Sequence, residues 1–382
     1  MDYKLNENCL CLFFEGEINS ANALEKEKEI DLVISNNSFF SLILDFDKLN
    51  YISSAGLRII LKLKQKYQNV SVINVNPEVY EILDMTGFST IMDVKRALKE
   101  ISVEGAKVIG NGFFSTVYRL DQDTIIKVFN RTSDENQIER ELKLAKEAFI
   151  LGVPTAISYD IVKVNDKLGV RFEMLDCMSL RDAFRDYPDR YDELLDRYVR
   201  LLKTINSTEC FNDEVPDIKK FFIKKVEDIK EYLDIDHYNK LHKLIESVKD
   251  SNNFVHGDCH FKNIMVQGDE FLLIDMDTLS KGHFIFELAS LRAPYVAFEE
   301  DSKGNSLAFL GMDSAFVSKL FYDLLDKYFD GVTEAQKDKI ALVCYLHMVW
   351  WNRVNEPGNM IRFEGCKERL IKLLDEYDDL EV

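Results

Sequence analysis

The chain has 382 residues, 46% of them apolar and 12% aromatic, enough for two or three ordinary cores, so wholesale disorder is excluded. Its 48 Lys and Arg stand against 67 Asp and Glu, a net charge of -19, which excludes the basic stripe that a nucleic-acid binder needs. The first ten residues carry acids and amides where a secretory leader carries bases and an apolar run. The longest late apolar stretch, 341–351, falls far short of the roughly 20 residues that cross a bilayer. The expectation is a cytoplasmic protein that meets neither nucleic acid nor membrane. Seven cysteines without a CxxC pair read as buried apolar thiols of a reducing compartment, with Cys9 and Cys11 on one face of a strand.

In chain order, residues 8–18 alternate with the two-residue period of a strand and 39–45 form an apolar β run. Residues 57–67 carry helical spacing, and 70–75 read as another strand. Pro77 opens a short helix that ends near Gly87. Strands alternating with helices predict a small α/β domain over 1–102. The pattern restarts near Val103 with a glycine-punctuated strand pair, a strand bearing Lys127, and a helix over 134–149. From Ser179 helical spacing dominates, over 191–205 and 218–248. One hairpin over 264–274, turning at Gln267, Gly268 and Asp269, interrupts it. Beyond Phe286 the chain reads helical to its end.

Four features of this second part occur in an order that points to phosphate chemistry. Gly110-Asn111-Gly112, followed by Phe113-Phe114-Ser115, places glycines at the turn of a strand pair, where backbone N–H groups can approach a polyphosphate. Lys127 interrupts an apolar strand, and the next helix offers Glu139 and Glu141 to hold it. Glu141 is preferred because Leu142, Leu144 and Ala145 beside it look core-facing. Alone, two glycines mark an ordinary hairpin and one strand lysine an ordinary solvated face. The segment His256-Gly257-Asp258-Cys259-His260-Phe261-Lys262-Asn263 then supplies an acid to accept a hydroxyl proton and, five residues on, an amide oxygen suited to magnesium. Ile274-Asp275-Met276-Asp277 ends an apolar strand on carboxylates. The hairpin between them returns Asp275 to where Asn263 began, so Asp258, Asn263 and Asp275 should converge. A carboxylate at a buried strand end is costly unless paired or bound to metal. His256 reads as a loop scaffold; Cys259 and His260 have no second cluster with which to bind zinc.

These motifs resemble the aminoglycoside and choline kinase branch of the protein-kinase-like superfamily, with its Gly loop, strand lysine, HGDxxxxN and later acidic strand end. The resemblance covers the chain from Val103 onward and implies an α+β two-lobed kinase fold, with a nucleotide-binding lobe over 103–176 and a catalytic, acceptor-binding lobe over 177–382. It implies ATP held by Gly110, Gly112, Ser115 and Lys127, with Glu141 positioning the lysine. It further implies Asp258 as catalytic base, Asn263 and Asp275 on Mg2+, and a hinge at Glu173 to Leu175 whose backbone meets adenine. Ser115 replaces the third loop glycine, and Glu287 stands where an Asp often follows. Only about ten residues separate Asp277 from Glu287, too few for the long segment on which a peptide docks. A small hydroxyl-bearing acceptor is therefore favoured. Tyr295, Phe298, Tyr345, Trp350 and Trp351 are candidates to hold an amine through cation–π contacts.

Toward the amino terminus, the run from Asp45 to Arg58 passes from a strand through a loop into a helix whose first turn holds Ser53 and Ser54. A hydroxyl there caps free N–H groups, and a phosphate is equally well placed. Together with Gly16-Glu17-Ile18-Asn19 and Asp84-Met85-Thr86-Gly87-Phe88, the segment resembles the STAS fold of anti-sigma factor antagonists. The family's phosphorylated serine falls on Ser54, with Ser53 in place of the usual preceding acid. The combined expectation is a Mg-ATP phosphotransferase for a small-molecule hydroxyl, joined to a docking or regulatory α/β STAS domain with a protein partner. The alternative is a signalling kinase that phosphorylates Ser54 or a partner.

Overall fold

The computed structural model describes residues 1–111, 115–130, 135–355 and 358–382, so the glycine-loop residue Gly112 lies outside the described residues. The chain divides into two compact units, Met1–Ser102 with Val162–Asp166, and Val103–Ile161 with Lys167–Val382.

In the first unit β1 (Asp2–Asn6) and β2 (Cys9–Ile18) form an antiparallel hairpin. Then β3 (Ser41–Ile52), β4 (Val70–Val75) and β5 (Asp93–Arg96) add in order, each parallel to its neighbour. Parallel joins need crossovers, supplied by α1 (Ala23–Ser35), α2 (Ser54–Lys66) and the pair α3 (Pro77–Met85) and α4 (Phe88–Ile91). Leu10, Leu12 and Phe14 of β2 and Leu42, Leu44 and Phe46 of β3 are buried, in one core with Ile60, Leu63, Val79 and Leu83. Cys9 and Cys11 alternate with those leucines and are half-buried rather than sunk in the core as expected; burial still pushes the Cys11 thiol up to about 11. The sequence reading missed β1, which is exposed along its whole length and so has no buried face to set a period.

At the start of α2, Ser53 is extended and its hydroxyl accepts from the Gly56 N–H at 3.5 Å. Ser54 is thus the first helical residue, and it is exposed. Packing fixes Gly56, because a Cβ there lies 2.7 Å from Ile52 and 2.8 Å from Ile18.

The second unit begins with strands in the sheet order 158–161, Lys167–Glu173, Thr124–Phe129, Ser115–Arg119, Lys107–Asn111, with the helix Glu135–Ile150 following the lysine-bearing strand. Ile126, Val128, Val170, Ile138 and Leu142 are buried there. The remainder is mostly helical around one large core. The expected helix over 218–248 is divided into Ile218–Asp228, a 3-10 turn and Ile235–Ser247, the last capped by Asp234. A hairpin, Ile264–Gln267 and Glu270–Leu273, turns through the left-handed Gly268.

Lys225 is buried in this core. Its ammonium is 2.6 Å from His347 Nδ1 and lies over the Phe222 ring at 4.1 Å. Desolvation pushes it down to about 7, below the 10.5 of an exposed lysine. Between those values the unfolded chain holds more protons than the folded one. The lysine's contribution to stability is therefore full above 10.5 and is lost as pH falls toward 7. Lys225→Met is expected to raise stability at neutral pH by about 1–2 kcal/mol and to remove that pH slope, read by denaturant melts at neutral and alkaline pH.

Candidate active site

Two pairings bring the acidic motifs together. Phe254–Val255 runs antiparallel to Ser280–Lys281, with Val255 opposite Ser280, so the loop leaving Val255 and the segment entering Ser280 share one end. In the hairpin Ile264 faces Leu273, and the Ile274 N–H donates to the Asn263 carbonyl at 2.9 Å. Asn263 Nδ2 donates to the Asp258 carbonyl and to Asp258 Oδ2, each at 3.0 Å, which leaves the Asn263 side-chain oxygen for a cation. The Thr278 hydroxyl donates to the His256 carbonyl at 2.6 Å. Gly257 is required at this approach: its φ is +81°, and a Cβ lies 3.2 Å from the Thr278 carbonyl. Asp275 also sits in the left-handed region, at φ +65°, a conformation that costs a non-glycine residue roughly 1–2 kcal/mol.

Lys127 joins the two acidic ends. Its Nζ is 2.6 Å from Asp275 Oδ1 and 3.9 Å from Glu141 Oε1, while Glu139 makes no such contact. Burial works against the ammonium, but Asp275 and Glu141 outweigh it and hold the lysine charged. The acids are strained in the opposite sense. Burial, then Asp275 and Asp277, pushes Asp258 up to about 8. Burial pushes Glu141 up to about 7, and burial with Asp275 pushes Asp277 up to about 6. Lys127 faces three of these acids, Asp275, Glu141 and Asp277, while Asp275 and Asp277 also act on Asp258, an excess of acid that a bound cation relieves. The Asp258 side chain is 43% exposed, so a substrate hydroxyl can reach it. Among the described residues no three or more His, Cys, Asp or Glu side chains group to hold a metal. Magnesium, which binds through one or two protein oxygens with phosphates and water, needs no such group, and the donor set of Asn263 and Asp275 suits it.

The loop is braced from behind. Glu287 is fully buried and its carboxylate accepts from the His256 N–H at 2.5 Å and the Gly257 N–H at 3.2 Å. Burial pushes this acid up to about 7, against the donors that surround it. The Tyr198 hydroxyl donates to the Cys259 carbonyl at 2.5 Å, and the Tyr295 hydroxyl accepts from the Phe261 N–H at 2.9 Å. His256 is buried and pushed down to about 4 by desolvation; its neutral Nδ1 accepts from the Asp258 N–H at 3.3 Å. Glu287→Gln replaces one acceptor with a donor that faces backbone N–H groups. It is expected to lower stability by about 1–3 kcal/mol and kcat about 10-fold to 100-fold, read by melts and steady-state rates.

Other expected residues fall as follows. Gly110 lies opposite Val117, where a Cβ meets only ordinary contacts at 3.4 Å, and Ser115 opens the next strand opposite Phe129. At the hinge, the Glu173 N–H donates to the Ile157 carbonyl and the Met174 N–H to the Asp123 carbonyl. The Glu173 carboxylate accepts from the Ile157 N–H at 2.7 Å, and the Leu175 carbonyl accepts from the Cys177 thiol. The aromatic candidates need correcting. Tyr295 is 1% exposed and its hydroxyl is engaged by the Phe261 N–H. Tyr345 is buried and bonds Glu300 at 2.5 Å, and the Trp350 indole donates to Asp228. Phe298 is half-buried and Trp351 is 40% exposed, so only Tyr295, Tyr345 and Trp350 are engaged in this way.

The fold and site together define a kinase-type enzyme that acts on hydroxyl groups. The model of the phosphotransferase enzyme family (APH) matches residues 105–305, and that of the STAS domain matches residues 1–101. The chain belongs to the phosphotransferase enzyme family, and it carries an α/β STAS domain ahead of an α+β kinase-like domain. Its first part is similar to BtrV of Bordetella bronchiseptica, named as an anti-sigma factor antagonist. The two are 33% identical over 92 residues, 23% of this chain and 78% of that protein. The chain is also similar to the solved structure of aminoglycoside phosphotransferase APH(2'')-IIa with gentamicin, at 14% identity and a TM-score of 0.46 over 80% of this chain and 98% of that one. The ADP-bound APH(2'')-Ib structure gives 15% identity and a TM-score of 0.44, again over 80% and 98%.

Proposed function

We propose that the second unit transfers the γ-phosphoryl group of ATP to a hydroxyl of a small molecule, with residues 103–176 binding nucleotide and 177–382 supplying the base and acceptor site. The convergence of Lys127, Asp258, Asn263 and Asp275 carries this reading. Lys127, kept in place by Glu141, stands to meet the phosphates. Gly110 and Ser115, with Gly112 outside the described residues, are the glycine-loop residues assigned to the phosphates, and the backbone of Glu173 to Leu175 is assigned to adenine. Asn263 and Asp275 would hold Mg2+, which supplies charge neutralisation on the phosphates when bound. Asp258 accepts the proton as the acceptor oxygen bonds to the γ-phosphorus; the bond from that phosphorus to the β–γ bridging oxygen breaks, and its electron pair leaves with ADP. Calorimetric titration tests the nucleotide site. Mg-ATP is expected to bind at least tenfold more tightly than ATP in chelator, and an absence of binding in both conditions ends the reading.

A second reading rests on Ser54, which is exposed at the first position of α2 while Ser53 takes the cap. Phosphate there meets the helix N-terminus and alters the face that the STAS domain offers a protein partner. Intact mass after incubation with Mg-ATP separates the readings. A gain of one phosphoryl group that is lost in Ser54→Ala favours a signalling kinase; no gain leaves the small-molecule enzyme.

A further inference from the structure

Lys262 lies four residues beyond Asp258 in the same loop, and Arg181 lies in the first turn of the helix Leu180–Asp186, which Ser179 caps. Both cations converge on the segment 309–311. Lys262 Nζ donates to the Phe309 carbonyl at 2.9 Å and stands 5.0 Å from the centre of the Phe309 ring. The Arg181 guanidinium lies 3.5 Å from where a Cβ on Gly311 would be, and the Arg181 N–H donates to the Phe261 carbonyl at 3.2 Å. The Phe309 ring, 41% exposed, packs edge-on against His260 at 5.3 Å, and His260 Nε2 is 3.5 Å from Asp258 Oδ1. A continuous wall therefore runs from the base through His260 and Phe309 to Lys262 and Arg181.

The charge on this wall is unusual for a chain of net charge -19. Arg181 is neutralised by Asp182, whose oxygens are further engaged by Ser179 and Arg185. Among the described residues no carboxylate lies within 4.0 Å of Lys262, although one acid within its electrostatic reach is Asp258. Capping the end of the short helix Asn305–Leu310 uses one of the three ammonium N–H groups and leaves the others for a ligand.

We propose that Lys262, backed by Arg181, forms an oxyanion subsite of the acceptor site, so that the acceptor carries a carboxylate or phosphate on the same molecule as the hydroxyl presented to Asp258. This inference rests on the phosphotransferase reading of the site. It replaces the amine-bearing acceptor expected from the aromatic residues, because the wall beside the base presents cations and one exposed ring.

The test uses the full chain saturated with magnesium and a non-hydrolysable ATP analogue, which fills the triphosphate position. Inorganic sulfate, acetate and a polyamine aminoglycoside are then titrated by calorimetry into wild type, Lys262→Met and Lys262→Arg, each first shown to melt as wild type does. Sulfate or acetate is expected to bind wild type, at least tenfold more weakly to Lys262→Met, and within a few-fold of wild type to Lys262→Arg. Tighter sulfate than acetate marks a phosphorylated alcohol, and the reverse marks a hydroxy acid. Equal oxyanion affinity in wild type and Lys262→Met, no oxyanion binding, or binding of the aminoglycoside alone overturns the subsite while leaving the kinase reading intact. Failure of the ATP analogue itself to bind removes both.

Discussion

Asp258→Asn is expected to lower kcat by roughly 10²–10⁴-fold while nucleotide affinity stays within a few-fold of wild type. The asparagine keeps the shape of the side chain and can still meet Asn263, now 3.0 Å from Asp258 Oδ2, so the loop is preserved. What is lost is the carboxylate proposed to accept the hydroxyl proton, a group that burial, Asp275 and Asp277 push up to about 8 until a bound cation offsets the neighbouring acids. His256 and His260, each pushed down to about 4 by burial, are buried and neutral, His256 spending Nδ1 on the Asp258 N–H and His260 lying 3.5 Å from the base. The substitution also removes one of the acids that repel each other across the cleft. Asp277, pushed up by burial and Asp275, and Glu141, pushed up by burial, remain, so the cation demand of the site persists. Stability is therefore expected to hold or rise slightly as activity falls, the mark of a residue kept for chemistry. A kcat within twofold of wild type removes Asp258 from the role of base.

Lys127→Met is expected to cost roughly 10²–10³-fold in kcat/KM, the size of one preorganised donor lost from a developing anion. A second effect adds to the first. In this structure Lys127 stands between Asp275 and Glu141, at 2.6 and 3.9 Å, and its removal leaves those carboxylates facing one another without a cation. Glu141, already pushed up to about 7 by burial and held down only by Lys127, then takes up a proton more readily, and the site loses the cation that Asp275 faces. Extra magnesium is expected to recover part of the loss in the variant. If magnesium dependence and kcat/KM match wild type, the lysine serves the frame alone.

Much of the site was legible because its groups lie on short, punctuated segments. Gly257 announces a left-handed turn, the five-residue step from Asp258 to Asn263 fits one loop, and the hairpin turn at Gly268 gives the return of Asp275 by simple counting. The Lys127 partner was legible from the apolar neighbours of Glu141, which fix the face that helix turns inward. The supports were not legible. Glu287 reads as an altered acid following the strand that ends at Asp275, whereas its carboxylate gathers the N–H groups of His256 and Gly257 about 30 residues earlier in the chain. Tyr198 and Tyr295 reach the same loop from helices far apart in sequence, and nothing in their own surroundings separates a brace from an ordinary core tyrosine. Arg181 and Lys262 illustrate the same limit, since nothing near either in the sequence shows that Phe309 and Gly311 bring them together. In the first unit, alternation revealed β2 and β3 because one face of each is buried; β1 offers no such contrast.

We propose that this chain breaks the bond between the γ-phosphorus and the β–γ bridging oxygen of ATP with Asp258 as the base. The most direct test follows the phosphorus signals of Mg-ATP by NMR in the presence of the full chain, wild type beside Asp258→Asn. Wild type is expected to consume the γ-phosphorus signal, slowly into inorganic phosphate without an acceptor and faster into a phosphate ester with one, while the variant leaves ATP intact over the same interval. A γ-phosphorus signal that persists in wild type, or that decays equally in both proteins, contradicts it.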